Sequence, residues 1–97
     1  MPKVKKLETI KRLSVPILRH NDVVKAGVFG SIVKGKLSKK SDIDFLIQFK
    51  PGKSLLDLSR LKLQLENKLQ RDVDLVTYRS IHPLLKQRIL EEEVRIL

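Results

Sequence analysis

The sequence predicts a small α/β (α+β) domain, with a three-stranded mixed sheet and about four helices that lie mainly on one face. Three observations carry this expectation. Residues 23–29, 42–49 and 72–77 are short runs of strand character, separated by stretches with helical spacing. The middle of the chain runs strand, helix, strand, the succession of a crossover unit with two parallel, adjacent strands. The length of 97 residues allows one domain, 1–97, near the lower limit for burying a core without staples, and cysteine is absent.

The elements follow in order. Residues 4–18 read as a helix, because Val4, Leu7, Ile10, Leu13 (or Ser14) and Ile17 recur at helical spacing. Pro16 is expected to bend or restart it, since proline removes a helical hydrogen bond. Val23 to Phe29 is a short apolar run and reads as a buried strand. Gly30-Ser31 then opens a polar, lysine-bearing stretch that ends at Ser41. Asp42 to Phe49 alternates, with Ile43, Phe45, Ile47 and Phe49 on one face and Asp42, Asp44, Leu46 and Gln48 on the other. The shorter connection between these two strands suits an antiparallel pair. Pro51-Gly52 signals a turn, and Ser54 with Asp57 resembles a capping pair for a helix over 54–70. That helix carries a leucine stripe at Leu58, Leu61, Leu65 and Leu69. Asp72 to Thr77 gives the third strand, and a final helix is expected from Pro83 to about Ile96, with the proline suited to a first turn.

Composition narrows the function classes. No apolar run reaches the length of a membrane span, and the first ten residues lack the apolar stretch of a signal peptide. The expected compartment is the cytoplasm, with no membrane association. A net charge of +10, from 21 Lys+Arg against 11 Asp+Glu, favours polyanionic partners: nucleotides, nucleic acid or an acidic protein surface. A solvated basic surface accounts for the same charge, so charge supports another signal here and does not serve as one. Aromatic residues make up only 4%, which argues against a base-stacking platform. His20 and His82 stand alone in the sequence and read as structural or surface residues.

The chemistry concentrates between Phe29 and Ile47. Asp42 and Asp44 sit two apart on a strand, so both project from one face with backbone positions roughly 6.6 Å apart. Side chains at that spacing can converge on two cations about 3.5–4 Å apart. Without cations the two carboxylates repel, which raises a proton affinity or costs stability. The bland reading makes Asp42 a strand cap and Asp44 a solvated surface residue. Context weighs against it. Gly30 follows a strand and lets backbone amides approach a phosphate, and Ser31 can donate a further hydrogen bond. A third carboxylate, Asp74, falls in the strand expected beside the second; Asp72 is its rival, but Asp74 lies deeper in the strand and fits better beside Asp44. Three aspartates from adjacent strands and a Gly-Ser turn together make a site for Mg²⁺ and a triphosphate. The aspartates serve two metal ions, and Asp74 is the candidate to assist deprotonation of the nucleophile.

The segment Gly30-Ser31-Ile32-Val33-Lys34-Gly35 through Ser41-Asp42-Ile43-Asp44 resembles the signature of the polymerase-beta-like nucleotidyltransferases. The resemblance extends along nearly the whole chain to the minimal nucleotidyltransferases, the MntA-like partners of HEPN proteins. It implies the nucleotidyltransferase fold and a Mg²⁺-dependent transfer of a nucleotide, usually AMP from ATP. Asp42, Asp44 and Asp74 would act as catalytic and metal-holding residues. Gly30, Ser31, Lys34 and Ser41 would hold phosphate. The implied acceptor is a HEPN toxin silenced by adenylylation, which makes the chain an antitoxin. Ile32, Val33 and Lys34 depart from a pattern that often has Arg or an aromatic, Ala and Arg. Lys34 keeps a charge without the guanidinium fork, and Ile32 removes a phosphate contact; Lys39 and Lys40 are the residues that could compensate.

Two other readings differ in what they predict. A binding module of the same fold would neutralise its partner by contact alone, and would not require all three aspartates. A basic nucleic-acid-binding protein would weaken steeply with salt and be indifferent to Asp42 and Asp44. At this length a second region for holding an acceptor is not expected, so recognition is expected to fall to another chain or to a second copy in a homodimer.

Overall fold

A computed structural model describes residues 6–35 and 42–97. The first helix, α1 (Leu7–His20), continues through Pro16 as one element. Its buried ridge is Ile10, Ser14 and Leu18, with Leu7, Leu13 and Ile17 packed beside it. The inward face is therefore set four and eight residues beyond Ile10: it takes Ser14, the alternative to Leu13, and Leu18 in place of Ile17, while Val4 lies outside the described residues.

Strands β1 (Val23–Phe29), β2 (Ile43–Phe49) and β3 (Val73–Thr77) fall where their apolar patterns predict. β1 pairs antiparallel with β2, and β2 parallel with β3. The parallel pair is joined by α2 (Leu55–Leu69), which starts at Ser54 as expected. Asp57 accepts hydrogen bonds from the Ser54 amide at 2.8 Å and the Ser54 hydroxyl at 3.1 Å, tying down the first turn. Leu61, Leu65 and Leu69 are buried and Leu58 packs against them.

The C-terminal part differs from expectation. Helix α3 (Pro83–Glu92) stops short, and β4 (Val94–Arg95) turns back as a fourth strand, pairing antiparallel with β1 at Gly27 and Val28. Among the described residues the sheet order is β3-β2-β1-β4, a mixed sheet of four strands rather than three, with three α-helices and two single turns of 3₁₀ helix. The helix cannot continue comfortably, because Glu91, Glu92 and Glu93 gather at the end where the helix dipole is negative. Beyond them Val94 and Ile96 alternate with Arg95, a strand pattern, and Ile96 is buried.

The two faces of the sheet have different covers. Ile43, Phe45 and Ile47 point into the main core against α1 and α2. Leu46 faces the other way, into a smaller cluster with Ile81 and Ile89. Most helical cover is thus on one face, and the second is left partly open for polar groups. No helix among the described residues is long and apolar enough to cross a membrane.

Candidate active site

Register brings the aspartates together. Asp44 in β2 is paired with Asp74 in β3 and with Phe29 in β1. Partners in register project to one side, so the carboxylates of Asp44 and Asp74 share the second face of the sheet, one strand apart. Asp42 precedes the strand by one residue and is exposed. Asp72 is not part of this set: it enters the ladder through its carbonyl, which accepts the Ile43 amide at 3.0 Å.

Electrostatics reports the same convergence. The Asp44 carboxyl is pushed up from 3.8 to about 6, first by burial, then by the charges of Asp74 and Asp42. Among the described residues, no group of three or more acidic or histidine side chains forms a finished cation cage. The donor set is nevertheless all oxygen, the chemistry that hard cations such as Mg²⁺ take, and the charge crowding Asp44 is the charge a divalent cation neutralises. The residues fit such an ion.

The phosphate-binding candidates begin where β1 ends. Gly30 has φ +78°, a left-handed conformation, and a Cβ placed there would run into the Asp44 carboxylate. Glycine is thus demanded twice, by backbone and by space. A 3₁₀ turn, Gly30–Ile32, follows, and its hydrogen bonds are donated by Val33, Lys34 and Gly35. The amides of Ser31 and Ile32 are not among those donors, and they head the turn beside Asp44. Ile32 is buried in the main core, so its side chain serves packing. Lys34 is in a 3.0 Å ion pair with Glu92 at the end of α3. Ser41, Lys39 and Lys40 lie outside the described residues.

Four residues near this face were not singled out by sequence. Tyr78 donates a hydrogen bond to Glu93, and Lys25 lies 4.3 Å from the centroid of the Tyr78 ring. The Glu93 side chain fills the space above Gly27, where any Cβ would collide with it. Glu92 holds Lys34. None belongs to a local motif; the signal was the acidic triplet 91–93, set against its own helix dipole and so in need of cations or donors from elsewhere.

Comparisons with known proteins agree with this geometry. The family model described as "Polymerase beta, Nucleotidyltransferase" matches residues 12–97. A relative from Methanocaldococcus jannaschii, named for protein adenylyltransferase activity, is 52% identical over 91 residues, covering 94% of this chain and 98% of its own. A solved structure described as a minimal nucleotidyltransferase superposes with a TM-score of 0.80 at 36% identity, covering 92% of this chain and 94% of that one. A toxin–antitoxin crystal structure with AMP-PNP gives 0.79 at 26% identity, covering 90% of this chain and 72% of that one.

Proposed function

The chain belongs to the polymerase-beta-type nucleotidyltransferase family, and from that membership we propose that it transfers AMP from ATP to a HEPN-family toxin and thereby acts as the antitoxin. The observation that carries this reading is the register pairing of Asp44 with Asp74, with Gly30 against the Asp44 carboxylate. Named adenylyltransferase relatives and the toxin–antitoxin neighbour with AMP-PNP support the nucleotide and the type of partner.

Asp42, Asp44 and Asp74 would hold two Mg²⁺ ions, whose chemistry is to neutralise charge on the triphosphate and lower the barrier to displacement. Gly30 and Ser31 present backbone and hydroxyl donors to a phosphate. Lys34 and Ser41 complete that set, Lys34 by exchanging its bond to Glu92 for a phosphate oxygen. The acceptor is a hydroxyl on the partner. Its oxygen bonds to the α-phosphorus, the bond from that phosphorus to the bridging oxygen breaks, and pyrophosphate leaves with the electron pair. Asp74, the most open of the register pair, receives the hydroxyl proton.

The test is to incubate the chain with Mg²⁺, each α-labelled nucleoside triphosphate and a HEPN-family protein as the candidate acceptor, taken from beside the chain's own gene where one is encoded there. Label from ATP should move to the partner and be lost in Asp42→Asn/Asp44→Asn. If no label moves while the complex still forms with the double variant, the chain neutralises by contact and the catalytic reading fails.

A further inference from the structure

The aspartates stand where β2 and β3 begin. At the opposite end, where these parallel strands finish, a groove of about 550 Å³ opens between the turn after β2 and the residues after β3. Five residues of extended chain separate Asp44 from Phe49, about 16 Å, so the groove is a separate place from the aspartate site. Its lining includes Gln48, Lys50, Lys53, Thr77 and Arg79.

The groove is strongly basic. Lys53 lies 2.7 Å and Lys50 3.8 Å from the two oxygens of Asp22, so one carboxylate is shared between two lysines. The Asp22 carboxyl is held below its ordinary range, first by Lys53, and His20 contributes in the same direction. Arg79 is exposed and has no ion pair among the described residues. Asp57 and Arg60, which also act on Lys53, are themselves an ion pair and cancel, so three groove cations against the Asp22 carboxylate leave two positive charges in excess. The sheet is therefore acidic at one end and basic at the other. A phosphate-bearing chain without its own cations is repelled by the first and drawn to the second.

We propose that this groove binds the phosphate backbone of a nucleic-acid strand, independently of the nucleotide used at the aspartates. The cations come from both segments that line the groove, so they can meet successive phosphates along a strand. Arg79 adds a planar fork that matches phosphate oxygens in pairs. The Gln48 amide supplies a neutral partner, while the Thr77 hydroxyl shares a 2.7 Å hydrogen bond with Ser80. The one aromatic ring at the rim with a polar tip, Tyr78, already faces Lys25. Recognition then runs through phosphates and not bases, and binding is indifferent to sequence.

The experiment is fluorescence anisotropy with a labelled twelve-residue oligouridylate, from low to moderate salt, on the whole chain. Three phosphate contacts on a single strand give a slope of log affinity against log salt of about −2. Arg79→Glu and Lys53→Gln should each weaken binding roughly tenfold or more at low salt, with melting temperatures close to the unchanged protein. Asp42→Asn/Asp44→Asn should bind at least as well as the unchanged protein. No nucleotidyl transfer is needed for any of these readouts, so failure here is separable from failure of the enzymatic reading. Equal binding by the groove variants would mean that the +10 surface attracts RNA diffusely. Displacement by Mg-ATP would move the strand to the aspartate end, and a polyglutamate peptide binding where the oligouridylate does not would make the partner an acidic protein. Each of these three results overturns the proposal.

Discussion

Asp44 carries a conflict built from its neighbours. Burial and the charges of Asp74 and Asp42 disfavour its ionised form and raise its carboxyl from 3.8 to about 6. Below about pH 4 the group is protonated folded or unfolded, and the conflict vanishes. Between about 4 and 6 the unfolded chain ionises first, so folding loses stability, and above 6 the full penalty stands. The shift alone corresponds to about 3 kcal/mol, which screening at a half-exposed group reduces to about 1 kcal/mol. Asp44→Asn should therefore stabilise the metal-free chain by about 1 kcal/mol at pH 7.5, seen as a rise of roughly 4–8 °C in melting temperature. The gain should fade as the pH approaches 4, and Mg²⁺ should stabilise the unchanged chain more than the variant. A gain that persists at pH 4 would show that the effect is not electrostatic. Ser14 poses a second conflict: it is fully buried, and its hydroxyl has no hydrogen-bond partner among the described residues. Ser14→Ala removes a desolvated polar group without leaving a large void and should add about 1 kcal/mol, read by urea denaturation.

At the scale of the element, α2 is held by its ends and its stripe together. Ser54→Ala should lose the reciprocal contact with Asp57 and cost about 1 kcal/mol, with a lower urea midpoint and an unchanged slope. This helix was legible in sequence because cap, leucine period and turn residues all agreed. α3 was read too long because the leucines and isoleucines of 84–96 satisfy a helical period past the point where the helix ends. What stops it is not visible as a breaker residue: three glutamates oppose the dipole, and a strand partner is available at Gly27 and Val28. The inward face of α1 follows Ser14, the alternative that the stripe leaves open beside Leu13, because the spacing from Ile10 to Leu18 carries that residue inside.

For the whole molecule, β4 closes the edge of the sheet beside the strand that delivers Gly30. Ala26 donates to the Leu97 carbonyl and accepts from the Ile96 amide, both at 3.0 Å, and Ile96 enters the main core. Ile96→Ala should cost about 2–4 kcal/mol, measured by chemical denaturation. A cost below about 1 kcal/mol would mean that the segment merely rests on the sheet. The charge distribution is also a property of this scale, because β2 and β3 run parallel, which puts the aspartates at their shared start and the Lys50–Arg79 groove at their shared finish.

Local rules determined which residues form the three longer strands and where α2 is capped; of the two aspartates read onto one strand face, Asp44 lies in β2 and Asp42 precedes it. Strand alternation, capping and turn chemistry act over a few neighbours and are written in the chain itself. The match of Asp44 with Asp74 over Asp72 was legible too, since depth within two parallel strands sets register. The fourth strand, the burial of Ser14, the pairing of Lys34 with Glu92 and the basic groove were decided only in three dimensions. Each depends on contacts between segments far apart in the chain, and no local spacing encodes which distant groups the folded sheet will bring within reach.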